Sequence, residues 1–141
     1  MFAYIYGRLH DTRATEGLAS EVFERTFAEA YPLRGEEDFA IRLFATARQL
    51  LVSHLRAQSR TGASQPQDDV EDAVLRRADL ARILGHLHRF PQREQDIIAL
   101  KFDAELTNAQ IAQVMGLSGG KVGVALYRTL RRLRRALERE A

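Results

Sequence analysis

Apolar residues recur along this chain at intervals of three and four, in one stretch after another, and nowhere alternate as a half-buried β-strand requires. Phe2, Ile5 and Leu9 form the first such series and read as the end of a helix. The second is Leu18, Val22, Phe23, Thr26, Phe27 and Ala30; Asp11 or Thr12 is placed to cap it, and it runs to Tyr31 before Pro32. After the loop PLRGEE, Asp38 is the predicted cap of a third helix, with Phe39, Leu43, Ala47, Leu50, Leu51 and Leu55 on one face and an end near Ala57. Each stripe predicts a buried face, because a helix gains most of its stability by packing its apolar side.

The pattern then lapses. QSRTGASQPQDD, residues 58–69, has Ala63 as its one apolar side chain and cannot bury enough surface to offset the entropy of ordering. It reads as a flexible linker that reaches roughly 40 Å when extended. Beyond it, Val70 to Phe90 predicts a helix with Leu80, Ile83, Leu84 and Leu87 as its stripe. Pro91 suits the first turn of the next, which Ile97, Ile98, Leu100 and Phe102 continue. The expectation is an all-α protein: two small helical bundles, residues 1–57 and 70–141, joined by residues 58–69.

TNAQIAQVMGLSGGKVGVALYR, residues 107–128, predicts two helices with a sharp corner. Thr107 and Gln110 have capping-box spacing, in which each side chain satisfies a backbone donor of the other residue. Ala112, Gly116 and Val122 then stand where a helix-turn-helix needs a small contact residue, a positive-φ corner and an anchor. Ile111, Met115, Leu117 and Leu126 fill other inward positions. A helix pair of this kind also serves as a plain αα-hairpin. What favours nucleic acid is the next stretch: Val122, Leu126, Leu130, Leu133 and Leu137 share one side, while Lys121, Arg128, Arg131, Arg132, Arg135 and Arg139 centre on the other. Gly119, Gly120 and Gly123 are poor helix formers that let a backbone approach DNA closely, so Lys121 and Arg128 are the expected base-edge or phosphate contacts.

Charge sharpens this picture. From Thr107 to Ala141 seven basic residues face two acidic ones, a net +5, whereas the preceding 106 residues sum to −3 within a chain total of +2. Such a split predicts a polyanion-facing end. No apolar run is long enough to span a bilayer, and Arg8 and Asp11 interrupt the start where a signal peptide needs an apolar core, so no membrane insertion and a cytoplasmic location are expected. The absence of cysteine excludes disulfides and thiolate zinc sites.

LHRFPQREQDIIALKFDAELTNAQIAQVMGLSGGKVGVALYRTLRRLRRAL resembles region four of the extracytoplasmic-function (ECF) class of bacterial RNA polymerase sigma factors. LASEVFERTFAEAYPLRGEEDFAIRLFATARQLLVSHLRAQSR is similar to region two of the same family. The resemblance implies a sigma factor that directs core RNA polymerase to promoter DNA, with region four on the -35 element and the β flap. Region two would lie on the β′ clamp helices and open the -10 element. The implied -35 contacts are Thr107, Ser118, Gly119, Gly120, Lys121, Val124, Arg128, Arg131 and Arg132. The implied -10 contacts are Arg34, Arg48, Gln49, Ser53, His54 and Arg56, and the implied polymerase contacts are Glu16, Ser20, Glu21 and Glu24. An anti-sigma protein is the further partner that the family's usual regulation implies. Departures from the family pattern stand at Gly17 and Ser20 on the polymerase side and at Arg42, Gln49 and Ser53 on the -10 side.

Two alternatives keep a DNA-binding module. One is a sigma-like regulator that binds DNA, polymerase or an anti-sigma protein without initiating transcription. The other is a dimeric helix-turn-helix factor, which leaves the first 57 residues unexplained. An enzyme is not expected: there is no phosphate loop, nucleophile elbow or metal cluster, His86 and His88 face different sides of a helix, and His10 and His54 are isolated. Asp68 with Asp69, and Glu36 with Glu37, suit helix N-termini. Neither a cofactor nor a metal is expected.

Overall fold

The computed structural model describes residues 1–29, 35–61 and 78–140. Among them are seven helices and no strand: α1 (Phe2–Leu9), α2 (Thr12–Ala28), α3 (Glu36–Thr61), α4 (Ala78–Leu87), α5 (Gln92–Phe102), α6 (Asn108–Met115) and α7 (Gly119–Glu140). They fall into two compact units. One contains α1, α2 and α3; the other contains α4, α5, α7 and α6 as far as Ala112.

In the first unit α2 packs on both α1 and α3. Its start is the predicted one: Asp11 has extended backbone, and its carboxylate accepts from the Ala14 N–H at 3.1 Å. Tyr4, Ile5, Leu9, Leu18, Val22, Leu43, Phe44, Ala47, Leu50 and Leu51 make the core. The Tyr4 ring meets Phe44 edge-on at 6.0 Å. Thr15, Thr26 and Thr46 are buried as well; Thr15 donates to the Asp11 carbonyl at 2.7 Å and Thr26 to the Val22 carbonyl at 2.8 Å.

Several sequence expectations for this unit need correction. Phe23 and Phe27 belong to the predicted stripe of α2, yet they are 41% and 69% exposed, because α1 and α3 cover only the Leu18–Val22–Thr26 side. Phe2 is exposed too, and Tyr4 takes the inward place. The helix ends at Ala28 rather than at Tyr31, since Glu29 has turned extended with ψ 102°; Ala30 to Arg34 lie outside the described residues. Asp38 is not the cap of α3. The helix has begun at Glu36, after Gly35 with φ 104°, so all three acids sit in its first turn, where the helix dipole favours negative charge. At its far end α3 continues through Gln58, Ser59 and Arg60 to Thr61, four residues into the expected linker. Its apolar stripe has ended there, but the residues remain compatible with a solvated helix. The rest of the linker, and the start of the helix expected from Val70, lie outside the described residues.

In the second unit α7 packs against α4 and α5. Ile97, Ile98, Ala99, Leu100, Leu106, Ile111, Ala112, Val122 and Leu126 are buried, each large one worth about 2 kcal/mol of transfer free energy. The α4 helix stops at Leu87 rather than Phe90. Gln95 ties the intervening turn to α5, its amide donating to the carbonyls of Phe90 at 2.7 Å and His88 at 3.2 Å. Pro91 stands one residue outside α5, as its N-cap. No helix among the described residues is long and apolar enough to cross a membrane.

Candidate nucleic-acid interface

The corner between α6 and α7 is set by short-range backbone chemistry. Thr107 and Gln110 form both arms of the capping box: the Thr107 N–H donates to Gln110 Oε1 at 2.9 Å, and the Gln110 N–H donates to Thr107 Oγ1 at 3.2 Å. Lys101 adds a brace from α5, its Nζ donating to Asn108 Oδ1 at 3.0 Å. At the other end Gly116 has φ 69°, and the Leu117 N–H returns to the Ala112 carbonyl at 2.8 Å. That six-to-one closure with a left-handed glycine is a Schellman stop, which fixes where α6 ends and how the chain leaves it. Ser118 then opens α7, accepting the Lys121 N–H on its hydroxyl at 3.3 Å. The family resemblance implies a DNA contact at Ser118; its observed role is this cap, which a Ser just ahead of a helix start also signals.

Around α7 the inner and outer sides separate cleanly in the first half. Val122, Leu126 and Thr129 are buried. Gly119, Gly120, Lys121, Val124, Arg128 and Arg131 are exposed, as are Thr107 and Ser118. Leu130, expected on the anchoring stripe, is 39% exposed; Thr129 occupies the inward place instead, a substitution that apolar periodicity cannot reveal. Among the described residues Lys121, Arg128 and Arg131 have no salt-bridge partner. Their charge is available to a polyanion.

Arg132 is different. Its guanidinium pairs with Glu94 in the first turn of α5 and lies over the Phe90 ring, 5.4 Å from the centroid. Its charge is therefore partly offset within the unit, unlike that of Lys121, Arg128 and Arg131. The other carboxylate oxygen of Glu94 is buried without a hydrogen-bond partner among the described residues. Two shallow hollows flank this pair. One, about 490 Å³, is lined by Arg93, Ser118, Lys121, Val124 and Arg128 among others. The second, about 540 Å³, brings Tyr127, Arg128, Arg131 and Arg135 together. Arg93 is a cation that the sequence reading did not assign to the interface; it enters the same hollow from α5, and only the packing of α5 on α7 reveals that.

On the first unit, Arg48, Gln49, Ser53 and Arg56 line one hollow of about 440 Å³ on α3, with Arg25 from α2. His54 stands apart from them, its ring nitrogen 2.8 Å from the Gln58 amide. Arg34 lies outside the described residues. Glu16, Ser20 and Glu24 are exposed on α2, and Glu21 is half-buried and paired with Arg25 at 3.1 Å. No cluster of three or more metal-ligating side chains occurs among the described residues.

A capped helix-turn-helix with an unpaired cationic outer edge is the build of a duplex-DNA-binding module. Residues 86–135 match the family model described as Sigma-70, region 4. Over its whole length the chain is 30% identical to the ECF RNA polymerase sigma factor BldN of Streptomyces coelicolor, of which it spans 57%. It is 29% identical to the RNA polymerase sigma-E factor of the same organism over 53% of this chain and 48% of that protein. The sigma-E factor of Streptomyces avermitilis is likewise 29% identical, over 52% of this chain and 41% of the relative. The chain thus spans about half the length of the relatives it matches. Its residues 86–135 carry the sigma-70 region 4 pattern, and the chain is similar along its whole length to an ECF sigma factor.

Proposed function

We propose that this chain is a sigma factor that binds core RNA polymerase, directs it to a class of promoters and takes part in opening them. Similarity to ECF sigma factors supports a role in transcription initiation. The observation that carries the DNA side is the outer edge of α7, where Lys121, Arg128 and Arg131 are exposed opposite the buried Val122, Leu126 and Thr129. In this reading the first turns of α7 enter the major groove at the -35 element, and Arg131, with Arg93 from α5, meets phosphates.

The first unit takes the other tasks. Glu16, Ser20, Glu21 and Glu24 on α2 face the β′ clamp helices. Arg48, Gln49, Ser53 and Arg56 on α3 hold unpaired bases of the -10 element, which need contacts worth a few kcal/mol once taken out of the stack. The β flap binds the second unit, an anti-sigma protein is the regulatory partner, and the location is cytoplasmic. The functional domains are the two bundles on either side of the polar linker.

Run-off transcription with bacterial core polymerase on a promoter library tests this. Discrete transcripts that share an upstream element are the expected result. Polymerase binding without initiation would give the sigma-like regulator instead, the reading favoured by the departures at Gly17, Ser20, Arg42, Gln49 and Ser53. A chain that binds neither polymerase nor DNA at low ionic strength overturns both.

A further inference from the structure

At 100° per residue, the buried trio Val122, Leu126 and Thr129 defines the inner side of α7, and Val124 lies about 165° from its centre. Going round the exposed arc, Tyr127, Gly120 and Arg131 fall on one flank of Val124 and Arg128 and Lys121 on the other. The crest of the helix is therefore shared by Arg131 and an aliphatic side chain, Val124, which is 50% exposed with Arg128 and Lys121 on its other flank. Solvation alone would favour a polar residue in place of Val124.

The glycines bear on the same point. A Cβ at Gly119 or Gly120 would meet nothing within 4 Å, and neither residue has a positive φ. The fold itself thus has no steric need for glycine at either place, while each lowers helix propensity. An outside surface that must come close to the backbone supplies the missing reason. Charge complementarity names that surface: unpaired Lys121, Arg128 and Arg131 surround the apolar Val124, as a polyanionic groove with an apolar spot on its floor would require. In a B-DNA major groove the apolar feature on a base edge is the C5-methyl of thymine.

We propose that Val124 is a specificity-determining residue that reads a thymine through its methyl group, with Lys121 and Arg128 holding the helix at that depth. The inference rests on the -35 reading above and adds what the helix recognises. Duplexes selected from a randomised pool by the full chain, at low salt, supply the probe. Thymines in the selected site are then replaced one at a time by deoxyuridine, which lacks only the methyl. The expected result is one position at which wild type loses about fourfold in affinity, the worth of one methyl-sized apolar contact. Val124→Ala should bind the thymine duplex with a similar loss and be indifferent to deoxyuridine at that position. Because Val124 is on the surface, an unchanged circular dichroism melt shows that the variant is folded.

Equal sensitivity of wild type and Val124→Ala to deoxyuridine, or no sensitive position at all, overturns the inference and leaves the sigma-factor reading intact. Failure of the wild-type chain to select any duplex overturns both.

Discussion

Two helices of this molecule present unburied faces, and their chemistry is opposite. On α2 the exposed residues include Phe23 and Phe27, with Glu16, Glu24 and Ser20 around them. On α7 they include Lys121, Arg128 and Arg131 around Val124 and Tyr127. An aromatic face edged by acids has little to offer a phosphate backbone, but it has the composition of a protein-protein hot spot, where buried rings carry the affinity and charge sets the register. A basic face with an apolar side chain at its crest suits duplex DNA, whose attraction for cations is long-ranged and salt-sensitive. The difference teaches that the two faces suit different kinds of partner, and that surface chemistry alone is enough to separate them. It also corrects a sequence-level reading, since Phe23 and Phe27 look like core until the helices that cover α2 are in place.

The sharpest break of this contrast is charge reversal on α7. Lys121→Glu with Arg128→Glu should cost about a hundredfold or more in duplex affinity near 0.1 M salt, seen by fluorescence anisotropy, and leave polymerase binding unchanged. Equal loss of both activities would mean that the two faces are not separate. Next in size is Phe23→Ala with Phe27→Ala on α2. Truncating exposed rings that stack at 6.3 Å should weaken binding to core polymerase by about 2 kcal/mol while DNA affinity stays as it was. Because both are exposed, the melting temperature should fall little; a large fall would assign them to the core after all.

Smaller effects probe the scaffold under α7. Thr107→Ala removes one arm of the capping box and should cost about 1 kcal/mol of stability, read by denaturant titration. Smallest is Gly120→Ala, which should raise stability by less than about 1 kcal/mol because a first-turn glycine gives way to the best helix former. The same substitution should weaken DNA binding. Opposite signs from one methyl group would be hard to explain by anything but close backbone approach, and a gain or no change in affinity would remove that role.

What the sequence made legible was the local chemistry. The capping box, the Gly116 corner and the basic edge of α7 depend on residues within a few positions of one another, and each stands where the pattern places it. What it hid was anything decided by a distant neighbour. Apolar periodicity finds a helix face but not how much of it is covered, so it marks the exposed Phe27 as core and gives no sign of the buried Thr129. Arg132 looked like its neighbours until α5 brought Glu94 and Phe90 against it. The end of α3 was misjudged for a different reason: composition marks where packing stops, whereas a helix stops only where its backbone is turned aside, and Gln58 to Thr61 do not turn it.

The Arg132 pairing also has a mechanical side. At 1.5 Å per residue α7 is a stiff rod of about 33 Å; buried Val122 and Leu126 hold it near its N-terminal tip, and Arg132 ties it again about 20 Å from that tip. Around that second tie a tilt of about three degrees swings the tip by roughly 1 Å, as much as a hydrogen bond to a base edge can tolerate. If the first turns of α7 read bases, the Glu94–Arg132 pair, itself well away from those turns, helps to set their aim.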